Sequence, residues 1–249
     1  MKLYDNERID EVNDSLSLIQ KPDGLTFGTD ALLLAGYVSG KHKNGAELGS
    51  GSGIISMLLL SRTKLEKCTA YEVQEAYADL TQRNAEYNGL TEKLDTVCLD
   101  IREIRPSEDA DVVFTNPPYM KNNCGKSNKT DAKAIARHEI HGDIGDFCAA
   151  AKKLLKFGGA FYAVYRPDRL CDLIFEMRAS GIEPKRATFV HADCSSESSM
   201  VLIEGKRGAA SGMMLTAPLI IYKDKEHRKY SPEMEYIMQN GSFPDGYKR

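Results

Sequence analysis

The stretch from Asp111 to Asn123 reads DVVFTNPPYMKNN. An asparagine carboxamide oxygen and a neighbouring proline carbonyl are two hydrogen-bond acceptors, and prolines stiffen the backbone between them. Two acceptors held in place beforehand can receive both hydrogens of a planar primary amine. An aromatic ring directly behind them offers a face for stacking. Asn116, Pro117 and Tyr119 are therefore the candidate catalytic residues, with Pro118 beside the substrate. A plain strand stop accounts for the prolines, but it needs neither the asparagine nor the tyrosine.

A second stretch with chemical content is ELGSGSG, Glu47 to Gly53. Glycines between a strand and a helix allow a tight turn and a close approach of ligand to backbone, and the helix start presents N–H groups. The dinucleotide fingerprint requires a third glycine where Ile54 stands, which disfavours nicotinamide and flavin dinucleotides. Glu72 ends the next β-like run, in AYEVQ, where a carboxylate can accept ribose hydroxyls. Asp100 ends the third, in VCLDIRE, where it can meet an adenine amine with Ile101 packed on the ring. Singly, each is an ordinary strand-end acid. In the order glycine turn, acid, acid, each at the carboxyl end of a strand, they outline one crevice for a nucleoside-bearing cofactor.

Such residues need a sheet to align them. β-like runs fall at 45–48, 67–73, 94–99, 111–115, 160–166, 186–192 and 200–207, with helical runs at 53–63 and 74–89 between the early ones. In the second helical run Ala76, Leu80, Arg83 or Asn84, and Tyr87 recur at helical spacing, and Asn88-Gly89 suits a C-cap. Alternation of this kind predicts an α/β, Rossmann-like fold: a seven-stranded, mostly parallel sheet with helices on both faces. The polar DCSSESS between the last two runs predicts a hairpin connection, which makes the final strand antiparallel. One domain over 1–249 is expected, divided into an N-terminal extension of helices or a flap (1–44), a core (45–207) and a C-terminal tail (208–249).

Composition narrows the class. Of 249 residues, 42% are hydrophobic and 28% charged, as in ordinary globular proteins. The N-terminal twenty residues are charged throughout, unlike a secretory signal. The apolar runs IISMLLL and ALLLAGYV are too short to span a bilayer, so no membrane partner is expected. Six scattered cysteines without a C-x-x-C pair argue against zinc and against a disulfide framework, and fit a reducing cytosol; no metal is expected. Net charge is −3, not the basic balance of a general nucleic-acid binder, so contact with a polyanion requires a local patch. Lys121, Lys126, Lys129, Lys133 and Arg137, against Asp131 and Glu139, form the candidate patch. A solvated loop and helix face explains the same charges.

The Gly-rich turn, the two acids and NPPY together resemble the class I S-adenosylmethionine-dependent methyltransferases of the NPPY type. The resemblance extends nearly end to end to the bacterial tRNA (valine) adenine-N6-methyltransferase family, through DGLTFGTDALLLAGYV, NPPYMK, IARHE, VLIEGKRG and APLIIY. It implies S-adenosylmethionine as cofactor and tRNA as partner, with methyl transfer to the N6 amine of adenine. Glu47, Gly49, Gly51, Gly53, Glu72, Asp100, Ile101 and Asn116 would line the cofactor site, with Thr29 and Asp30 by its methionine end. Thr29 or Asp30 would equally serve as the N-cap of a helix through ALLLAGYV. Asn116 and Pro117 would clamp the amine while Tyr119 stacks on a flipped base. Pro118, Lys121, Lys126, Lys129 and Lys133 would face the RNA. Another planar amine (rRNA guanine N2, a protein glutamine) is the enzymatic alternative, and a cofactor-binding protein without chemistry the non-enzymatic one. The oligomeric state has no signal in the sequence.

Overall fold

The computed structural model describes residues 3–4, 6–21, 28–118 and 142–248. Tyr119, Lys121, Lys126, Lys129, Lys133 and Arg137 lie outside the described residues.

Its centre is a sheet of β3 (His42–Leu48), β4 (Leu65–Glu72), β5 (Leu94–Cys98), β6 (Ala110–Thr115), β7 (Leu155–Tyr165), β8 (Ile182–His191) and β9 (Ser198–Arg207). The spatial order is β5-β4-β3-β6-β7-β9-β8. β3 to β7 are mutually parallel, and β9 runs antiparallel to both β7 and β8, as the polar connection predicts. The expected seven strands are too few. β10 (Met214–Leu215) and β11 (Leu219–Ile220) both pair with the outer edge of β8, giving nine among the described residues. Each is two residues long, too short for any periodicity to show.

Burial explains the central strands. Ala110, Val112, Val113, Phe114 and Thr115 of β6 are buried, so this strand reads apolar on both faces. One face is covered by α1 (Thr29–Tyr37) and α2 (Ile54–Ser61), the other by α4 (Ile144–Leu154) and α5 (Leu170–Ala179). α2 is apolar all round, and all its residues but the last are buried. α3 (Glu75–Tyr87) ends as Asn88-Gly89 predicts: Gly89 has φ +66°, and Leu90 N–H donates to the Ala85 carbonyl at 2.8 Å. The last turn of α1 is closed by Lys64, whose ammonium donates to the carbonyls of Ala35, Gly36 and Val38.

Both flanks carry elements the expectation did not name. In the N-terminal extension β1 (Arg8–Asn13) and β2 (Leu16–Gln20) form an antiparallel hairpin ahead of α1. The Asn13 side chain accepts from Ser15 N–H at 3.0 Å and closes its turn. Segment 208–249 carries β10, β11 and α6 (Pro232–Asn240), and it sends Met234, Ile237, Phe243 and Tyr247 into the core. Phe243 meets Tyr37 edge-on at 5.2 Å, and the buried Arg186 guanidinium lies 3.9 Å over that same tyrosine ring.

The hairpin docks through two asparagines one helical turn apart. Asn84 accepts from Ile19 N–H at 2.7 Å and donates to the Ile19 carbonyl at 3.1 Å. Asn88 does the same for Ser17, at 3.1 and 2.8 Å. The carboxamides of Asn84 in α3 and of Asn88 at its C-cap thus act as a neighbouring strand for residues i and i+2 of β2. Asn88→Ala is expected to destabilise the protein by roughly 1–3 kcal/mol, since two backbone groups lose partners. Chemical denaturation checks this; an unchanged midpoint would remove Asn88 from the docking.

Candidate functional site

The carboxyl ends of β3, β4, β5 and β6 meet on one edge of the sheet, because these strands are parallel and adjacent. The Gly-rich turn leaves β3 there. Gly49, Gly51 and Gly53 all have φ between +57° and +79°, the left-handed region that favours glycine. Only Gly51 has open space beside its Cα: a Cβ at Gly49 would touch the Phe147 ring, and one at Gly53 would collide with Met57 and Thr81. The turn is pinned to α3 by Thr81, whose hydroxyl donates to the Gly51 carbonyl at 2.9 Å, and by Asn84, which donates to the Ser52 carbonyl at 3.0 Å.

Glu72 stands at the end of β4, 5% exposed. One carboxylate oxygen accepts from Gly51 N–H and the other from Gln74 N–H, both at 2.9 Å. A carboxylate has about four lone-pair sites, so each oxygen retains capacity for a ribose hydroxyl. Open space beside Gly51 next to a fixed carboxylate fits a nucleoside that carries a free diol.

Asp100 is arranged differently. It caps a short 3-10 turn by accepting from Arg102 N–H at 2.9 Å, and it pairs with the Arg102 guanidinium, which holds its carboxyl below the usual range. Arg102 is 41% exposed at its side chain, so this pair is a weak surface one and the guanidinium can turn to solvent. Ile101 is buried among the residues of the α4 face.

Glu47 lies behind the turn, 1% exposed. It accepts from Ser56 N–H at 3.1 Å and from the Ser56 hydroxyl, and so braces the first turn of α2 instead of lining the crevice. Burial pushes its carboxyl up to about 8, with Glu72 adding to the rise and the Ser56 bonds opposing it. A folded-state value raised from 4.5 means that the folded chain holds a proton the unfolded chain releases. That stabilisation is complete below about pH 4.5 and is lost as pH rises through about 8. Glu47→Gln should therefore flatten the fall of thermal stability between pH 5 and 8. Parallel slopes for the two proteins would show that the buried group is already ionised.

Asn116 follows β6 directly. Thr115 anchors this strand end to β3, its hydroxyl donating to the Leu48 carbonyl at 2.8 Å. The Asn116 carboxamide nitrogen donates to Asp30 Oδ2 at 2.8 Å, while Asp30 Oδ1 accepts from Ala31 N–H at 2.9 Å. A carboxylate only accepts, so the amide's NH2 end must face Asp30 and its acceptor oxygen must point elsewhere. Neither Thr29 nor Asp30 caps α1; Gly28 takes that position, and Thr29 is exposed in the first turn. Pro117 is buried and Pro118 exposed.

The structure thus brings Gly49, Gly51, Gly53, Glu72, Asp100, Asp30 and Asn116 to one edge. Sequence reading missed Thr81, Asn84 and Ser56, which hold the turn and its helix. Two asparagines four apart on one helix face were the available signal for Asn84.

Residues 22–177 match the sequence model of the methyltransferase small domain family. The chain is 24% identical over 183 residues to a tRNA1(Val) (adenine(37)-N6)-methyltransferase of Phocaeicola vulgatus, an alignment covering 73% of this chain and 77% of that one. A protein of the same description from Aeromonas hydrophila is 28% identical over 74% of this chain and 78% of its own. One from Shewanella halifaxensis reaches 30% identity over 53% of this chain and 54% of its own, about half of its length. Among solved structures, an Agrobacterium tumefaciens protein described as a predicted O-methyltransferase superposes with a TM-score of 0.71 at 21% identity, covering 86% of this chain and 98% of that one. M. jannaschii TYW2 in complex with AdoMet gives 0.57 at 14% identity, covering 83% and 88%. At such identities the structural likenesses carry the fold.

Proposed function

Because the chain belongs to the methyltransferase small domain family, we propose that it moves a methyl group from S-adenosylmethionine to the exocyclic N6 amine of adenine in tRNA. The observation that carries this reading is the hydrogen bond from Asn116 to Asp30, which fixes a carboxamide acceptor at the carboxyl end of β6.

The cofactor supplies an electrophilic methyl group on a sulfonium. Glu72 and the turn around Gly51 would hold its ribose, and Asp100 with Ile101 its adenine. An adenine amine is a weak nucleophile, because its lone pair is delocalised into the ring. The Asn116 oxygen and the Pro117 carbonyl would accept its two hydrogens and draw the nitrogen toward tetrahedral geometry. Asp30 contributes by keeping the carboxamide from turning its NH2 toward the substrate. These dipoles are in place before the substrate arrives, which is electrostatic preorganisation. No strong base is needed, since the methylated amine becomes acidic and loses its proton to water. Tyr119 would stack on the flipped base, Pro118 would border it, and Lys121, Lys126, Lys129 and Lys133 would contact phosphate. We read residues 1–249 as one catalytic domain working in the cytosol. Among the described residues no helix is long and apolar enough to cross a membrane.

The test is transfer of radiolabelled methyl to bulk tRNA lacking this modification, followed by nucleoside analysis. Label in N6-methyladenosine is the expected result. Label in methylated guanine, or transfer to rRNA or to a protein glutamine offered in parallel with none to tRNA, would overturn the substrate assignment. Cofactor binding without transfer to any of these would overturn the enzymatic one.

A further inference from the structure

The edge of the sheet that carries Asn116 continues past β7. β8 and β11 run parallel to each other, and β9 lies antiparallel between β7 and β8, so His191 and Ile220 end on the same edge as Thr115. The connection leaving β11 there reads YKDKEHRKY, Tyr222 to Tyr230. It is a compact turn. Tyr222 and Tyr230 form an antiparallel bridge, and Asp224 accepts from the backbone N–H groups of Arg228 and Lys229 at 3.0 and 2.8 Å.

Three rings are stacked on it. Tyr222 lies 4.7 Å from the His227 ring at 16° and 5.3 Å from the Tyr230 ring at 19°. His227 is also held from the neighbouring β8–β9 connection: its Nε2 lies 3.1 Å from Asp193, which accepts from the Ser195 and Ser196 hydroxyls as well. Tyr230 remains 39% exposed.

Around this stack Lys223, Lys225, Arg228 and Lys229 are exposed, and none of their side chains pairs with a carboxylate among the described residues. Asp224, held by backbone N–H groups, and Glu226 are the opposing charges within the turn, which leaves it two cations in excess. Other basic groups are differently placed. Arg166 pairs with Asp168 and Arg169 with Asp172, while Lys185 and Arg186 are buried. A cationic turn with rigid stacked rings, on a chain of net charge −3, is the combination that binds unpaired nucleic acid: phosphates meet the cations and bases stack on the rings.

We propose that the Tyr222–Tyr230 turn is an RNA-docking platform that grips an unpaired stretch of the substrate away from the target adenine. This rests on the RNA reading of the site. From β6 to β11 the sheet advances four strand spacings of about 4.8 Å, roughly 19 Å. At about 3.4 Å per stacked nucleotide the platform lies roughly five to six nucleotides from the clamp. Phosphate contact and ring stacking at that distance give affinity and register without reading sequence.

The test compares wild type with Lys225→Ala/Arg228→Ala, Tyr230→Ala and Tyr230→Phe. Binding of bulk tRNA is measured across a salt series, beside cofactor affinity, thermal midpoint and methyl-transfer kinetics. The double variant should flatten the slope of log affinity against log salt by about 1.4, from two phosphate contacts to a single strand. It should raise KM for tRNA while leaving kcat at saturating tRNA, cofactor affinity and midpoint unchanged. Tyr230→Ala should weaken tRNA binding by roughly five- to a hundredfold, and Tyr230→Phe should retain most of it. Unchanged slope and KM in the double variant, with wild type methylating tRNA, would overturn the platform and leave the adenine reading standing. A wild type that neither binds nor methylates tRNA would overturn both.

Discussion

Asn116→Ala is expected to lower kcat by roughly 100- to 1000-fold, the cost of removing one preorganised polar group at a reacting centre. Cofactor affinity should stay at the wild-type value, because the ribose acid and the Gly51 turn are untouched by the change. The same geometry grades the neighbouring substitution. Asp30 holds the NH2 end of Asn116 at 2.8 Å. Asp30→Asn keeps the size of the side chain but can present its own NH2, so the Asn116 carboxamide loses its orientation, not its presence. A hydrogen bond to a charged group is worth about 1.5–3 kcal/mol, so the loss of kcat should be roughly ten- to a hundredfold, milder than for Asn116→Ala. Single-turnover methyl transfer at saturating cofactor gives both numbers. Near wild-type turnover for Asn116→Ala would refute the clamp. Equal losses for the two variants would place Asp30 in direct contact with substrate or cofactor.

Glu72→Ala should weaken cofactor binding by roughly ten- to a hundredfold for the same reason, while kcat at saturating cofactor falls much less. The structure adds a second route to that loss. Glu72 also accepts from Gly51 and Gln74 N–H, so the variant loosens the turn the ligand must approach. Glu72→Gln separates the contributions: its NH2 must face one of those backbone donors, which leaves the turn half-held. Calorimetric titration should rank wild type, then Glu72→Gln, then Glu72→Ala. Identical affinities across the three would remove Glu72 from the cofactor site.

The parallel core and the order of its site are legible in residue order alone. β6 from Val112 to Phe114, and α2 but for its two serines, are apolar on every side, and such segments have no alternative to burial. Glu72 and Asp100 were legible because they stand where apolar alternation stops, and a parallel sheet puts all such points on one edge. The Gly-rich turn was legible because its backbone needs φ values that other residues avoid. What depends on partners distant in the chain appears only in the folded molecule. Glu47 reads as a site acid, yet its partner is Ser56 and it lies behind the turn. Asn84 reads as helix filler, yet its amide joins β2, α3 and the turn across 65 and 32 residues of sequence. Asp30 reads as a cofactor contact or a helix cap, and only the packing of α1 beside the end of β6 makes it the partner of Asn116. β10, β11 and the buried Phe243 were hidden for a related reason. Short polar-flanked segments carry no period of their own, and their apolar residues are buried only against the longer strands and helices around them.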